Sequence, residues 1–240
     1  MQEIQTLQSW IRDSKNIVFF GGAGVSTESN IPDFRSQDGL YHLSYQYPPE
    51  TILSHRFFLQ KPEEFFRFYR EKMLYLEAQP NQAHLQLAKW EREGRLKGVI
   101  TQNIDGLHQK AGSRHVVELH GSVLRNHCMQ CGKAYTAEEM AQSQGVPRCT
   151  CGGVIKPDVV LYEESLNGAD IEEAVRLIEQ AEVLIVGGTS LAVYPAAGLI
   201  DYYKGDRLVL INRDATPYDR KANLLIQEKI GWGLVAILFP

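Results

Sequence analysis

Short, mostly apolar segments recur along the chain and constrain its fold more than any other feature. Each is four or five residues long and runs into a glycine or polar residues; they lie at 17–20, 98–101, 116–119, 159–162, 183–186 and 207–211. Near-continuous apolar runs of this length are typical of strands that are buried on both faces, as strands of a parallel sheet are.

Amphipathic patterns lie between several of these segments. Apolar residues recur at helical spacing before the first, second and fifth segments, at Ile4, Leu7 and Ile11, at His84, Leu85, Leu87, Ala88 and Trp90, and at Ile171, Ala174, Ile178 and Ala181. Helices that alternate with buried strands predict an α/β fold with a doubly wound, parallel, Rossmann-like sheet.

Length and charge narrow the class of protein further. A chain of 240 residues with 44% hydrophobic content suits one large domain, or one large domain with a small insertion. The 25 basic and 29 acidic residues leave a net charge of −4, which argues against bulk nucleic-acid binding because that function favours a basic excess.

The sequence predicts no membrane or export signal. Glu3 stands in the N-terminal segment, and no basic region precedes an apolar run there. Residues 183–200 carry no charge, but Gly187, Gly188 and Pro195 interrupt them, so we interpret the stretch as a buried strand, a glycine loop and a helix. A cytoplasmic location without membrane contact is the expectation.

All four cysteines lie within 24 residues, as Cys128-x-x-Cys131 and Cys149-x-Cys151. Two such pairs on facing turns can place four thiolates around one metal ion, and glycines follow both pairs, at Gly132 and at Gly152–Gly153. The pattern predicts a structural zinc site, since four thiolates leave no open position for catalysis.

A glycine-rich turn follows the first apolar segment, in the order Gly21-Gly22-Ala23-Gly24-Val25-Ser26-Thr27. Such a turn lets backbone N–H groups approach a phosphate, although the spacing is not that of a dehydrogenase fingerprint. The residues Ile31-Pro32-Asp33-Phe34-Arg35-Ser36 come soon afterwards, and they suit a flap over a dinucleotide.

Polar residues follow other predicted strands at the point where each strand ends. They are Gln102 to Asp105 after the second, His120 after the third, Thr189 and Ser190 after the fifth, and Asn212 after the sixth. Because the carboxyl ends of parallel strands meet at one edge, these side chains are expected to share a ligand site.

These motifs together resemble the sirtuins, the family of NAD-dependent protein deacylases, in the form of a bacterial-type single catalytic core. The matching segments are GAGVSTESNIPDFRS, TQNIDGLH, the His-Gly at 120–121, the four-cysteine module, KPDVVLYEE and GTSLAVYPAA, in the family's order. The resemblance implies a Rossmann-like NAD-binding domain from residues 1–35, 81–121 and 157–240. It also implies a small domain made of a helical insertion, 36–80, and a zinc-binding module, 122–156.

The resemblance implies the following site residues. For the cofactor NAD they are Ala23 and Thr27 at the diphosphate loop, Asp33 just before the flap, Phe34 and Arg35 in the flap, Gln102 at the nicotinamide-side ribose, Ile104 and Asp105 in the nicotinamide pocket, Thr189, Ser190 and Asn212 at the phosphates and adenosine ribose, and Ile230 on adenine. Asn103 and His120 are the catalytic residues. The substrate strand is Val159, Val160, Leu161 and Tyr162, with Val193 opposite, and the zinc ligands are Cys128, Cys131, Cys149 and Cys151.

The implied reaction removes an acetyl group from lysine in a protein substrate. Nicotinamide leaves as the acetyl oxygen attacks, an alkylamidate forms, and His120 acts as general base before O-acetyl-ADP-ribose is released. The alternatives are an NAD glycohydrolase or mono-ADP-ribosyltransferase on the same scaffold and, in a different class, a non-enzymatic NAD-sensing module. The partners expected are acetylated-lysine proteins, with no nucleic acid and no membrane, and the chain is expected to be monomeric.

The sequence departs from the family's pattern at three places, of which the second bears on the peptide groove and the third on the acyl group. Asn30 stands where glycine is usual, and the family's FGE reads Tyr162-Glu163-Glu164. In relatives that prefer succinyl- or malonyl-lysine, a Tyr-x-x-Arg pair binds the acidic acyl group, and aligned positions here are Phe66 and Tyr69. We therefore expect a preference for acetyl or longer neutral acyl groups, because an acidic chain would be buried unpaired.

Overall fold

The computed structural model describes residues 2–33 and 47–235, without the side chains of Trp232 and Val235. Its main feature is a parallel six-stranded sheet formed by β1 (Ile17–Gly21), β2 (Leu96–Thr101), β3 (Val116–Glu118), β7 (Val183–Gly187), β8 (Leu208–Ile211) and β9 (Leu224–Ile226). The strand order is β3-β2-β1-β7-β8-β9, so the direction of winding reverses between β1 and β7. This order confirms the predicted doubly wound sheet.

Strand β1 shows why the apolar segments are continuous. Phe19 faces one hydrophobic core together with Leu7 of α1 (Gln2–Asp13) and Leu87 of α5 (Gln82–Arg92). Phe20, the next residue, faces the opposite core, which includes Ile178 of α8 (Gly168–Gln180). Successive side chains of a strand point to opposite faces, and helices cover both faces here, so both positions must be apolar.

A second, antiparallel sheet contains three strands, β4 (Gly121–Cys128), β5 (Ala134–Tyr135) and β6 (Ile155–Val159), in the order β5-β4-β6. The prediction that 159–162 forms a strand of the parallel sheet is therefore wrong. Val159 pairs with Gly121 of β4, and the chain then leaves the sheet. Apolar composition alone does not distinguish a doubly buried strand from a segment that runs between two modules.

The helical insertion and the cysteine module share a third hydrophobic core. The insertion supplies α2 (Pro49–Ile52), α3 (His55–Gln60) and α4 (Pro62–Lys72), and the cysteine module supplies β4, β5 and α7 (Ala137–Gln142). Phe65 and Phe66 pack in this core with Val123, Met140 and Cys128. The shared core supports the predicted division into a large and a small domain, which stays a prediction.

Two elements differ from the sequence-based expectation. Strand β9 was not predicted, because Leu224–Ile226 offers only three apolar residues. The helix expected after residue 188 is a 3-10 helix at Ala196–Tyr202. Among the described residues, no helix is long and apolar enough to span a membrane.

Two buried histidines lie beside each other between helices. His84 on α5 and His108 on α6 (Leu107–Lys110) are 0% and 1% exposed, with ring centroids 4.7 Å apart. The N–H of Asn81 donates to Nδ1 of His84 at 3.3 Å. Neither His84 Nε2 nor the two ring nitrogens of His108 have a hydrogen-bond partner among the described residues. The site therefore disfavours the charged form of either imidazole.

Acidification is expected to destabilise the fold through this pair. Burial lowers the pKa of His84 to about 4 and that of His108 well below its usual range. In the unfolded chain both titrate near 6.5, so below that pH the unfolded state binds more protons than the folded state. For His84 the contribution is full above pH 6.5 and is lost on descent towards pH 4, so we expect about 2 kcal/mol less stability from His84 at pH 5 than at pH 7. His108 acts in the same direction.

Urea unfolding at pH 7 and pH 5 tests this expectation with His84→Gln as the matched variant. Glutamine keeps an acceptor for the N–H of Asn81 but does not titrate. The variant should lose less stability than the wild-type chain between the two pH values. An equal loss in both proteins would contradict the assignment.

Candidate functional site

A cleft of about 1070 Å³ opens at the carboxyl ends of β1 and β7, where the winding of the sheet reverses. The backbones of the two loops touch there, with the N–H of Gly24 donating to the carbonyl of Gly188 at 2.8 Å. A Cβ on Gly22 would lie 2.7 Å from Cβ of Thr189, so only glycine permits this approach. This reversal point is where open α/β sheets bind their ligands.

The predicted site residues converge on this cleft. Its lining includes, among the described residues, Ala23, Thr27, Asp33, Gln102, Asn103, Ile104, Asp105, His120, Val159, Val160, Leu161, Tyr162, Thr189, Ser190, Val193, Asn212 and Ile230. Phe34 and Arg35, predicted for the flap, lie outside the described residues. Their roles and those of the lining residues remain predictions.

Ser26 organises one wall of the cleft, although it was not among the predicted site residues. Its hydroxyl donates to Oδ2 of Asp105 at 2.6 Å and accepts from Nδ2 of Asn103 at 3.0 Å. The other Asp105 oxygen accepts from the N–H of Leu107 at 2.9 Å. Burial raises the pKa of Asp105, and the bonds from Ser26 and Leu107 act in the opposite direction. The place of Ser26 directly after the glycine turn is the one signal that pointed to it.

A second set of hydrogen bonds joins the loops after β2, β7 and β8. Nε2 of Gln102 donates to Oγ1 of Thr189 at 3.0 Å. Asn212 donates from Nδ2 to the carbonyl of Thr189 at 2.7 Å and accepts from its N–H at 3.0 Å. Three strand ends are therefore linked by side chains, which preorganises this part of the cleft.

His120 follows β3 and lines the cleft, and its ring is oriented by one hydrogen bond. Nδ1 lies 2.9 Å from the carbonyl oxygen of Gln102. Since a carbonyl can only accept, Nδ1 carries the proton and Nε2 of the neutral ring holds a free lone pair. Burial lowers the pKa of His120, although the bond to Gln102 raises it in part. The imidazole is thus suited to accept a proton through Nε2 near neutral pH.

The segment after β6 forms another wall of the cleft and connects it to the small module. The N–H of Val160 donates to the carbonyl of His120 at 3.0 Å. The backbone N–H of Tyr162 donates to the carbonyl of Leu53 at 3.0 Å, and the carbonyl of Tyr162 accepts from the N–H of His55 at 2.9 Å. A peptide that pairs with this wall would have to use backbone groups other than those of Tyr162. The N–H of Leu161 and the carbonyl of Val159 are also bound within the chain, by the side chains of Glu164 and Lys156.

At both turns where this chain lacks the family's glycine, the residue present still has a left-handed backbone conformation. Asn30 has φ 62° and Glu163 has φ 74°. Asparagine tolerates this region well, whereas glutamate enters it rarely. The glycine of the family's pattern is thus replaced here without loss of the turn.

Phe66 and Tyr69 are not among the described residues that line the cleft. Both are buried in the aromatic core of the small module, at 0% and 1% exposure. The end of α4 instead presents Lys72 and Met73 to the cleft.

The four cysteine sulfurs form a compact cluster away from the cleft. All lie within 4.8 Å of one another, with Sγ atoms of Cys128 and Cys151 3.5 Å apart and those of Cys131 and Cys149 3.6 Å apart. Four thiolates in a tetrahedron around zinc at about 2.3 Å hold their sulfurs about 3.8 Å apart. The cluster therefore fits a four-thiolate zinc ion.

Comparisons with known proteins give the class of this chain. The model of the Sir2 family matches residues 22–195. An NAD-dependent protein deacetylase of Clostridium acetobutylicum is 56% identical, over 99% of this chain and 99% of that relative. A relative of the same name from Clostridium tetani is 59% identical, over 96% of this chain and 95% of its own.

Solved structures agree with these relatives. A complex of Sir2 with p53 peptide and NAD+ has a TM-score of 0.88 at 39% identity, over 98% of this chain and 97% of its own. A complex of a Sir2 variant with deacetylated p53 peptide and 3′-O-acetyl ADP ribose has a TM-score of 0.90 at 38% identity, over 98% of this chain and 97% of its own.

Fold and site thus define a doubly wound α/β protein with a cleft at the reversal point of the sheet and a thiolate cluster in a small module. The chain belongs to the Sir2 family, which confirms the predicted resemblance.

Proposed function

We propose that this chain is an NAD-dependent protein lysine deacetylase. The observation that carries the proposal is the position of His120, which lines the same cleft as the glycine turn and the segment 159–162. Relatives named NAD-dependent protein deacetylase, at 56% and 59% identity, support the same activity.

The residues of the cleft fit NAD as a co-substrate. Backbone N–H groups of the glycine turn suit phosphates, and Asp105 beside Asn103 suits a carboxamide. When bound, NAD supplies an activated ribose carbon that can accept the acyl oxygen of the substrate. Gln102, Ile104, Thr189, Ser190, Asn212 and Ile230 complete the cofactor side in this proposal, together with Ala23, Thr27 and Asp33.

His120 is the general base of the proposed reaction. The carbonyl of Gln102 holds Nδ1–H, so Nε2 is the atom that accepts a proton from a ribose hydroxyl. The lowered pKa of His120, which burial causes, keeps the ring neutral at pH 7. Asn103, fixed by its bond to Ser26, orients reacting groups beside it.

Protein substrates with acetyl-lysine are the proposed partners, bound along Val159–Tyr162 with Val193 opposite. The zinc ion that fits the four thiolates has a structural role in the small module. A reducing, cytoplasmic setting is part of the proposal because these thiols must stay reduced. A monomeric state and the lack of nucleic-acid binding are expectations of the same proposal.

Release of nicotinamide from NAD, measured with and without an acetyl-lysine peptide, tests the proposed function. Peptide-dependent release, with deacetylated peptide as co-product by mass spectrometry, is the expected result. Release without peptide would identify an NAD glycohydrolase instead. NAD binding without release would identify a sensor.

Acetyl-lysine is expected to be a better substrate than succinyl-lysine by about a hundredfold in kcat/KM, since an uncompensated buried carboxylate costs about 3 kcal/mol or more. The measurement compares acetyl and succinyl versions of one peptide. Lys72, at the end of α4, is one of the cations that line the cleft, and a bond from it to the succinyl carboxylate would remove this preference. Comparable kcat/KM values for the two peptides in the wild-type chain would contradict the expectation. If the values then become unequal in Lys72→Met, Lys72 is the residue that binds the succinyl carboxylate.

A further inference from the structure

Two consecutive glutamates follow the segment 159–162 and join it to the small module. Glu163 and Glu164 both line the cleft. Their carboxylates reach the first residues of α3, whose backbone already pairs with Tyr162. The wall of the cleft and the helical insertion therefore meet at this pair.

Glu164 carries most of the contacts. Its Oε2 accepts from the N–H of Leu161 at 2.9 Å and from Nζ of Lys156 at 3.2 Å, while Oε1 lies 2.8 Å from Nδ1 of His55. Burial acts to raise the pKa of Glu164. The bond from Leu161, the contact with His55 and the charge of Lys156 outweigh burial and hold that pKa below its usual range. The carboxylate is therefore charged, and both of its oxygens accept charge-assisted hydrogen bonds.

Lys156 extends the same contact to the other end of the segment. Its Nζ, with the side chain 12% exposed, also donates to the carbonyl of Val159 at 3.0 Å. The carbonyl of Val159 and the N–H of Leu161 point to the same side of an extended chain, since they are two residues apart. Lys156 and Glu164 therefore form an ion pair that lies along one edge of the segment and binds two of its backbone groups.

Glu163 ties the same turn to α3 by a separate contact. Its Oε2 accepts from the N–H of Arg56 at 3.0 Å, which is one of the free N–H groups in the first turn of the helix. This cap compensates the left-handed φ of 74° that glutamate adopts here.

We propose that Glu164 is a positioning residue for the peptide substrate: through Lys156 and His55 it fixes the wall 159–164 against the small module. The inference rests on the proposed function, because it assumes that this wall receives the peptide. Lys156, Leu161 and His55, which contact Glu164, lie on the peptide side of the cleft, and the hydrogen bonds of Ser26 and Asn212 do not involve Glu164. Its loss should therefore affect the peptide and leave NAD unaffected.

The test is a double-mutant cycle with Glu164→Gln and Lys156→Met. Each single variant should raise the KM for acetyl-lysine peptide about tenfold, by loss of the charge-assisted bonds, with kcat and the KM for NAD nearly unchanged. The double variant should be no worse than either single one, because both remove the same pair. Glu179→Gln, an exposed glutamate on α8, is the matched control and should change none of these values.

Peptide affinity is also measured without turnover, by fluorescence anisotropy of a labelled acetyl-lysine peptide. If the wild-type chain binds peptide but does not deacetylate it, the proposed function fails. The double-mutant cycle can then still be evaluated from the peptide affinities. Peptide affinity that is unchanged in Glu164→Gln would overturn the proposal. Equal losses of peptide and NAD affinity, or additive effects in the cycle, would also overturn it, because they indicate a general loss of structure.

Discussion

His120→Ala is expected to lower kcat/KM for an acetyl-lysine peptide by about 10²–10⁴-fold, the range for removal of a general base. The variant loses the imidazole whose Nδ1–H is bound by the carbonyl of Gln102. With it goes Nε2, the atom that accepts the proton in the proposed reaction. Binding of NAD and of peptide should persist, because the backbone bond from Val160 to residue 120 does not need the side chain.

The acid limb of the wild-type pH profile tests the same assignment. Burial lowers the pKa of His120 from its ordinary value of 6.5, so kcat/KM should fall only below that pH. His115→Gln is the control, since His115 contacts the carbonyl of Lys97, near the amino end of β2, and Glu173 of α8, and it does not line the cleft. Full activity of His120→Ala would refute its role as base.

Cys151→Ser is expected to remove the zinc ion and unfold the small module. A structural zinc ion contributes about 10–16 kcal/mol to the folding of small zinc modules, so loss of one thiolate removes much of what holds this part together. Cys128 and Cys149 also belong to the hydrophobic core that the module shares with the helical insertion. The damage should therefore extend to the aromatic helices around Phe65 and abolish deacetylation.

Zinc content by mass spectrometry and thermal unfolding measure this effect. Thr150→Ala is the matched control, because it changes the residue between two ligands and leaves all four thiolates in place. The control should keep one zinc ion per chain. Wild-type stability and zinc content in Cys151→Ser would show that the four sulfurs do not form the metal site.

Much of the large domain follows from local sequence. Strands such as β1 and β7 are apolar at every position because both faces are covered, and that pattern is legible without a structure. The segment 159–162 has the same composition for another reason: it crosses from the small sheet to the cleft. Strand β9 is short and forms because it pairs with β8, and the sequence of Leu224–Ile226 alone does not predict that pairing.

The candidate site was partly predictable for a similar reason. Residues at strand ends must meet at one edge, which identified His120, Asp105 and Asn212. Ser26 was missed because its importance lies in two hydrogen bonds to residues far along the chain. Phe66 and Tyr69 were placed by alignment near the acyl group, but their orientation depends on how α4 packs, and the structure buries both.

The sequence by itself determined the layer architecture, the metal ligands and the residues that share the cleft. Each of these depends on short-range spacing: apolar period, cysteine pairs and polar residues at strand ends. Tertiary structure alone decided which atoms act on each other. The proton on Nδ1 of His120, the role of Ser26 and the contact of Glu164 with His55 arise between segments that are separated in the chain. Side-chain direction there is set by packing and hydrogen bonds that no local pattern encodes.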